Sequence, residues 1–463
     1  MASTNILAAS GTMLTQPAFP CRGELLPWQI SKRLIFGNLI ANLTRTKPSF
    51  KRTSLIATHC TLRPGIDSNG ATNAKHPPPP VDLGSCSMPN QLAVSPPNQP
   101  LSCSYTKGLV LDMGPTSSWD SAATGSPVVK RYIGDDEERW YMWYHGSSGE
   151  NQPSDSVGLA LSKNGIHWAR GAGAVRSCSS PGLVLNCQEN WWAFDTKSIR
   201  PSELVIMSSP MYSSVYWLYY TGWSSDEVQL PDDMKTLFQA DSNGGKIFKS
   251  LPGLACSQDG RHWGRIEGDH HSGALLDVGS AREWDSLYIA APNVVLHGSD
   301  DLRMYYHSFD SIRNHFGIGV ARSRDGIRWV KLGKIMGGGA EGSFDELGSI
   351  NANVVRNSRD GKYLMAYEGI SATGTRAIGL AQSSDGLTNW TRVQKDPVLK
   401  PSGEDGWDNR SVGSPCLVQM NGNSAGWRLY YEGVSQEGRT GIGMATCKGK
   451  EATSFRRWEG FHC

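Results

Sequence analysis

After residue 104 the chain repeats one short pattern five times, and that repeat sharply restricts what it can fold into. Each unit opens on an aromatic-Asp pair: Trp119-Asp120, Phe194-Asp195, Trp284-Asp285, Phe344-Asp345 and Trp407-Asp408. A small-residue or Arg-Pro step into an apolar strand follows, as in Ser126-Pro127, Arg200-Pro201, Ala291-Pro292 and Ser414-Pro415, with Asn351-Ala352-Asn353 in the fourth unit. Next comes a strand of the form aromatic-x-Tyr-x-Gly, such as Trp217-Leu218-Tyr219-Tyr220-Thr221-Gly222 or Tyr430-Tyr431-Glu432-Gly433. A Gly-apolar-Ala strand then leads to Ser-x-Asp-Gly-x-x-Trp, seen in full at Ser257–Trp263 and Ser323–Trp329.

Three or four short strands per unit, separated by turn residues, make up one propeller blade. A blade cannot bury its faces alone, so units stack around an axis until the ring closes. The expected fold is therefore all-β, a five-bladed β-propeller over residues 104–463 with blades starting near 119, 192, 284, 344 and 407. In the closing turn, Asp-Gly supplies positive φ, the Ser and Asp side chains bond turn amides, and the Trp wedges between blades. The fifth unit decays after Ala445. Closure is expected either from Leu109-Val110-Leu111 beside the last blade or from an outer strand near Trp458. Residues 224–252 interrupt the second unit and read as a polar looped insertion.

The first 65 residues differ in kind. They carry Arg22, Lys32, Arg33, Arg45, Lys47, Lys51, Arg52 and Arg63 against the single acid Glu24, and open Met1-Ala2-Ser3-Thr4. Basic, hydroxylated and acid-poor is the composition of an organellar transit peptide, here of plastid type, so residues 1–65 are expected to be disordered and the mature protein to reside in the chloroplast stroma. Residues 66–103, with Pro77-Pro78-Pro79-Pro80, Pro96, Pro97 and Pro100, read as an extended Pro-rich linker. A formal net charge of +2 and the lack of a long apolar run argue against a nucleic-acid partner or membrane insertion. Ten cysteines form no CxxC pair and no Cys/His zinc spacing, so neither metal nor cofactor is expected.

The repeated units resemble the five-bladed propellers of the arabinanase, levansucrase and invertase superfamily. That group comprises glycoside hydrolase families 43, 32 and 68, with the mannoside phosphorylases of family 130 as relatives. The resemblance implies a site at the mouth of a central funnel, holding three carboxylates at the entries of inner strands, with the Asp members directly before a Pro. Here the matching positions read Ser126, Arg200, Ala291 and Ser414, with Asn351-Ala352-Asn353 in the fourth unit; none is acidic. The usual triad is absent, so the site has been rebuilt from other rim residues or the hydrolase chemistry has been lost.

Action on a single substrate must break the fivefold pseudosymmetry, so residues that differ between equivalent positions are the better candidates. The five repeated Asp residues are on this rule structural, bonding backbone amides where one blade passes to the next. The ends of the second strands do differ: His145, Thr221, His307, Glu368 and Glu432. Glu368 and Glu432 are the candidate acid–base pair, because cleaving a glycosidic bond needs one carboxylic acid and one carboxylate. His145 and His307 are candidates for acid–base work or for binding sugar hydroxyls. Arg200 and Arg410 suit a carboxylate or phosphate, Asn351 is a further substrate contact, and Glu203 is expected to pair with Arg200. Two functions stay open. One is a glycoside-hydrolase-like protein acting on or binding a carbohydrate or small anionic ligand, its enzymatic status undecided. The other is a non-catalytic plastid scaffold for a ligand or a protein partner.

Overall fold

A computed structural model describes residues 106–133, 137–149, 154–171, 182–209, 212–229, 247–298, 300–420, 426–449 and 452–460. The basic N-terminal segment and the Pro-rich stretch lie outside these residues. The chain enters through β1 (Leu109–Asp112) and then builds antiparallel meanders. The first blade comprises β2 (Ala123–Ile133), β3 (Glu138–Ser147), β4 (Ser156–Ser162) and β5 (Ala169–Arg170), with β6 (Leu183–Leu185) also paired to β4. The second comprises β7 (Ser198–Ser209), β8 (Tyr212–Val228), β9 (Ile247–Ser257) and β10 (Gly264–Ile266). The third comprises β11 (Ala290–Gly298), β12 (Asp301–Asp310), β13 (His315–Ser323) and β14 (Val330–Met336). The fourth comprises β15 (Gly348–Arg356), β16 (Tyr363–Ile370), β17 (Arg376–Ser383) and β18 (Thr391–Arg392). The last comprises β19 (Ser411–Met420), β20 (Gly426–Val434), β21 (Thr440–Lys448) and β22 (Arg456–Arg457).

The inner strands close a ring: β2 packs on β7, β7 on β11, β11 on β15, β15 on β19, and β19 on β2. The apolar core fills the gaps between neighbouring blades. Tyr220 and Leu204 meet Leu159 and Trp143 in one gap, while Met142 and Val129 meet Tyr430 and Met444 in another. Closure uses both segments expected for it. β1 pairs with β21 at Gly441–Gly443, and β22 pairs with the same strand at Ala445 and Thr446. The pairing of β1 follows a wider rule, because β6, leading into the second blade, likewise pairs with β4 of the first. Sharing the outer edge in this way leaves no long unpaired strand at the seam among the described residues.

The five repeated Asp residues are fully or almost fully buried, and their bonds differ from the expected ones. Each accepts from a Tyr hydroxyl of the second strand: Asp120 from Tyr144 at 2.9 Å, Asp195 from Tyr220 at 3.0 Å, Asp285 from Tyr306 at 2.9 Å, Asp345 from Tyr367 at 3.0 Å and Asp408 from Tyr431 at 2.9 Å. Each also meets a cation of the outer strand, namely Arg170, Arg265, Lys331, Arg392 or Arg457. The carboxylate thus clamps the strands of one blade through side chains, where the sequence suggested backbone amides between blades. A buried charge needs a charge partner and hydrogen-bond donors, and at one carboxylate oxygen of each clamp a Tyr with an Arg or Lys provides both.

The closing turns behave as expected. Ser257 accepts the Asp259 and Gly260 amides, and Asp259 accepts those of Arg261 and His262. Gly260 has φ +73°, open to a residue without Cβ. The turn then docks on the preceding blade. Trp143 donates to the Gly260 carbonyl at 3.0 Å, while Trp263 packs edge-on against Trp143. The same clasp recurs between Tyr219 and Gly326, Tyr305 and Gly386, and Tyr430 and Gly165. The second-blade insertion departs from its reading as a loop. Its described ends continue β8 and β9, with Glu227 opposite Phe248 and Val228 opposite Ile247.

Candidate funnel site

All five blades contribute to one cavity of about 470 Å³ at the mouth of the ring. Its walls include His145, Arg200, His307, Asn351, Glu368, Arg410 and Glu432. Local backbone geometry explains why these side chains converge. Each inner strand carries a bulge where its register to the second strand slips: between Gly125 and Val128, Pro201 and Glu203, Ala290 and Asn293, Ile350 and Asn353, and Gly413 and Cys416. In four blades the bulged residue is a non-glycine with positive φ: Ser126 at 46°, Ala291 at 51°, Asn351 at 49° and Ser414 at 45°. Its amide turns toward the preceding blade and is accepted by that blade's second-strand end. Glu432 accepts from Ser126 at 3.0 Å, Thr221 from Ala291 at 2.8 Å, His307 from Asn351 at 3.2 Å, and Glu368 from Ser414 at 2.9 Å.

The second blade breaks this pattern and corrects its alignment. Arg200 pairs with Thr221 as Ala290 pairs with His307, and Glu203 pairs with Tyr219 as Asn293 pairs with Tyr305. The residue equivalent to Ser126 is therefore Pro201, one place later than the Pro-based match suggests. Proline holds φ near −65° and has no N–H. Pro201 can neither take positive φ nor donate to His145, whose Nδ1 is buried without a hydrogen-bond partner among the described residues.

Glu368 is 2% exposed and held on both oxygens. Its Oε2 accepts from Asn351 Nδ2 at 2.8 Å as well as from the Ser414 amide, and Oε1 faces Arg376 at 3.2 Å. Glu432 is only partly buried and accepts the Ser126 amide. Burial pushes its carboxyl above the usual range, and the charge of Glu368 adds to the effect against the pull of Arg200 and Arg376. A Cβ on Gly125 would collide with the Glu432 carboxylate, and one on Gly413 with that of Glu368, so both glycines make room for the acids. Burial lowers both histidines to about 3, helped by Arg200 at His145 and by Arg376 at His307, so both imidazoles are neutral. His307 accepts an amide at Nδ1, which places its proton on Nε2.

Sequence reasoning missed part of the wall. Three residues before the Gly that faces the second-strand Tyr, the third strands read Asp155, Ser250, Phe316, Arg376 and Thr440, and all five line the cavity. The rule of unlike residues at equivalent positions, applied to the third strands, would have found Asp155 and Arg376. Lys197 and Arg410 likewise share one position, each donating its amide to a carbonyl two residues beyond the second-strand end. Asp155 forms the ion pair expected of Glu203, bonding Arg200 Nε at 2.6 Å. Burial alone would raise the Asp155 carboxyl, but its neighbours together, Arg200 foremost, hold it below the usual range. Glu203 lies deeper, at the level of Asn293 and Asn353, and bonds Lys130 and Asn293 instead. Its backbone sits past the bulge, which turns it toward the axis while Arg200 faces the mouth. The second-blade hairpin adds an aromatic wall, with Arg200 over Trp223 at 5.5 Å and Lys197 over Phe248 at 3.9 Å. Among the described residues, no group of three or more His, Cys, Asp or Glu is arranged to hold a metal ion.

No family model matches the chain, and no curated protein resembles it in sequence. Among solved structures it is similar to a complex of BT0996 with RGII, at 15% identity and TM-score 0.52, covering 74% of this protein and 92% of the matched one. A protein described as a glycoside hydrolase matches with 15% identity and TM-score 0.52, over 75% and 94% of the two sequences. A thermostable family-43 glycoside hydrolase matches with 15% identity and TM-score 0.50, over 72% and 93%. At this identity the likeness establishes the propeller fold, which the protein shares with glycoside hydrolases.

Proposed function

We propose that this propeller cleaves a glycosidic bond in the funnel, with Glu432 as the acid and Glu368 as the carboxylate partner. The observation that carries the reading is the contrast between these two groups. They come from adjacent blades and line one cavity, yet burial favours the protonated form of Glu432 while Arg376, Asn351 and the Ser414 amide surround Glu368. Glycoside hydrolysis needs one carboxylic acid and one carboxylate beside the bond, which this pair can supply. Glu432 delivers its proton to the leaving oxygen as the bond to the anomeric carbon breaks. A water oxygen bonds that carbon, and the water proton passes to Glu368. Neutral His307 offers its Nε2–H to a sugar hydroxyl.

The test is a panel of aryl glycosides and plant oligosaccharides run on wild type, Glu432→Gln and Glu368→Gln. Each substitution keeps shape while removing ionisation, and is expected to lower kcat by about 10²–10⁴-fold without unfolding the protein. Wild-type turnover that survives both substitutions refutes the assignment.

A second reading has its own support. Thr221 and His307 accept the next blade's bulge amide as Glu368 and Glu432 do, so the carboxylates also serve a structural bond found in uncharged form elsewhere in the ring. On that reading the funnel binds a sugar without turning it over, and the same variants change affinity alone. For either role we infer residence in the plastid stroma, on the composition of residues 1–65. A fluorescent fusion of residues 1–70 that stays cytosolic or enters the secretory route overturns that part.

A further inference from the structure

The residues that sequence reasoning missed give the funnel a charge pattern unlike that of a site for a neutral sugar. Among the described residues, its walls carry four cations, Lys197, Arg200, Arg376 and Arg410, and three carboxylates, Asp155, Glu368 and Glu432. Within that set, Arg200 pairs with Asp155 and Arg376 with Glu368. The formal excess among the described residues is one positive charge, and protonation of Glu432 adds a second. Cations partly withdrawn from water beside low-dielectric walls are worth more to an anion than the same charges on an open surface.

The cations divide between two sides of the funnel, Arg376 and Arg410 standing on the fourth and fifth blades beside Glu368 and Glu432. Lys197 and Arg200 belong to the second blade, and each lies over an aromatic ring of the β8–β9 hairpin, Phe248 and Trp223 respectively. Resting a flexible cationic stem on an aromatic face narrows its conformers, so less order is lost when it takes up a ligand. Asp155 fixes Arg200 further through Nε. The carboxylates Glu368 and Glu432 stand on the fourth and fifth blades. The second-blade wall therefore joins aromatics to oriented cations, while the fourth and fifth blades bear the candidate acid–base pair with Arg376 and Arg410 beside it.

We propose that the sugar bound in this funnel carries an anionic group, received by Lys197 and Arg200 on the second-blade wall. This rests on the carbohydrate reading above and narrows it to acidic sugars. A carboxylate, a sulfonate and a phosphate monoester share the chemistry these two side chains recognise: a compact anion with several acceptor oxygens.

The experiment compares glucuronate, 6-deoxy-6-sulfoglucose and glucose 6-phosphate with glucose, and the galactose-configured counterparts with galactose, by calorimetry or ligand-observed NMR on the full-length protein. At least one anionic sugar is expected to bind about tenfold or more tightly than its neutral parent. That preference should shrink at high salt and vanish in Lys197→Gln and in Arg200→Gln, while circular dichroism shows both variants folded and melting of Lys197→Gln stays near wild type. The three anions, run separately, identify the group. Neutral and anionic sugars binding equally overturns the inference and leaves the carbohydrate reading in place. A preference for anions that both variants retain overturns it too, because other residues would then be responsible. If no sugar of either kind binds, both this inference and the carbohydrate reading fall.

Discussion

The outer half of each blade and the mouth of the funnel use similar chemistry to opposite ends. On the outer side, the same Asp–Tyr–cation clamp appears in every blade, with only Lys331 replacing an Arg. At the mouth, the five equivalent second-strand ends are His145, Thr221, His307, Glu368 and Glu432, and the five third-strand positions differ as widely. Repetition marks what each blade needs in order to exist, and divergence marks what the ring does as a whole. A charge is buried in both places. In the clamp it is surrounded by fixed partners within one blade, whereas at the mouth it faces a cavity open to a ligand.

The largest expected effect sharpens that contrast. Asp195→Ala leaves Arg265 and Tyr220 without their shared acceptor, and is expected to cost on the order of 3–5 kcal/mol in chemical denaturation. Any ligand affinity that the surviving folded fraction shows should match wild type. Loss of affinity with unchanged stability would erase the distinction between clamp and mouth. Gly125→Ala probes the other side. Its Cβ would drive into the Glu432 carboxylate, so binding or turnover should fall about tenfold or more, equivalent to roughly 1.4 kcal/mol, with a smaller change in melting. An unaltered site in this variant would mean that Glu432 has room to move and is not held for chemistry.

Acid titration separates the mouth histidines from the clamp. The folded-state values of His145 and His307 are lowered to about 3 from 6.5, so between those limits the unfolded chain binds more protons than the native one. Stability is then lost progressively as pH falls from about 6.5 toward 3. Glu432 has the opposite sign: its raised value removes stability as pH climbs through and above the ordinary carboxylate range. His307→Gln should flatten the acid limb of a stability–pH curve, and Glu432→Gln should raise stability at neutral pH relative to acid. An unchanged acid limb in His307→Gln would show that this imidazole titrates normally.

The smallest effect tests the bulge. Ala291→Gly relieves a positive φ and should add about 0.5–1 kcal/mol despite the more flexible unfolded chain. Pro201→Gly, at the equivalent place in the second blade, relieves no such strain and should destabilise. If the two behave alike in thermal melts, the one-residue offset assigned to the second blade is wrong.

Much of this was written in local order. The turn Ser257–Trp263, the alternation of strands and the aromatic-Asp pairs each span a few residues, and their recurrence, five times for the Asp pairs and four for the turn, specifies the propeller before any contact is known. The unlike second-strand ends could be read as well, because the repeat itself supplies the alignment that exposes them. Local order misled where chemistry rather than length sets the register. Arg200-Pro201 looks like Ser126-Pro127, yet proline's locked φ shifts the bulge by one residue, sends Arg200 to Asp155 and leaves Glu203 to Lys130. The partners of the clamps were hidden for a related reason, since Asp195 meets Arg265 seventy positions later. Sequence determined that five blades would form and where they would differ. Tertiary structure decided which differences meet, because closing the ring brings Ser126 of the first blade against Glu432 of the last, and only such long-range contacts fix the charge and protonation of the funnel.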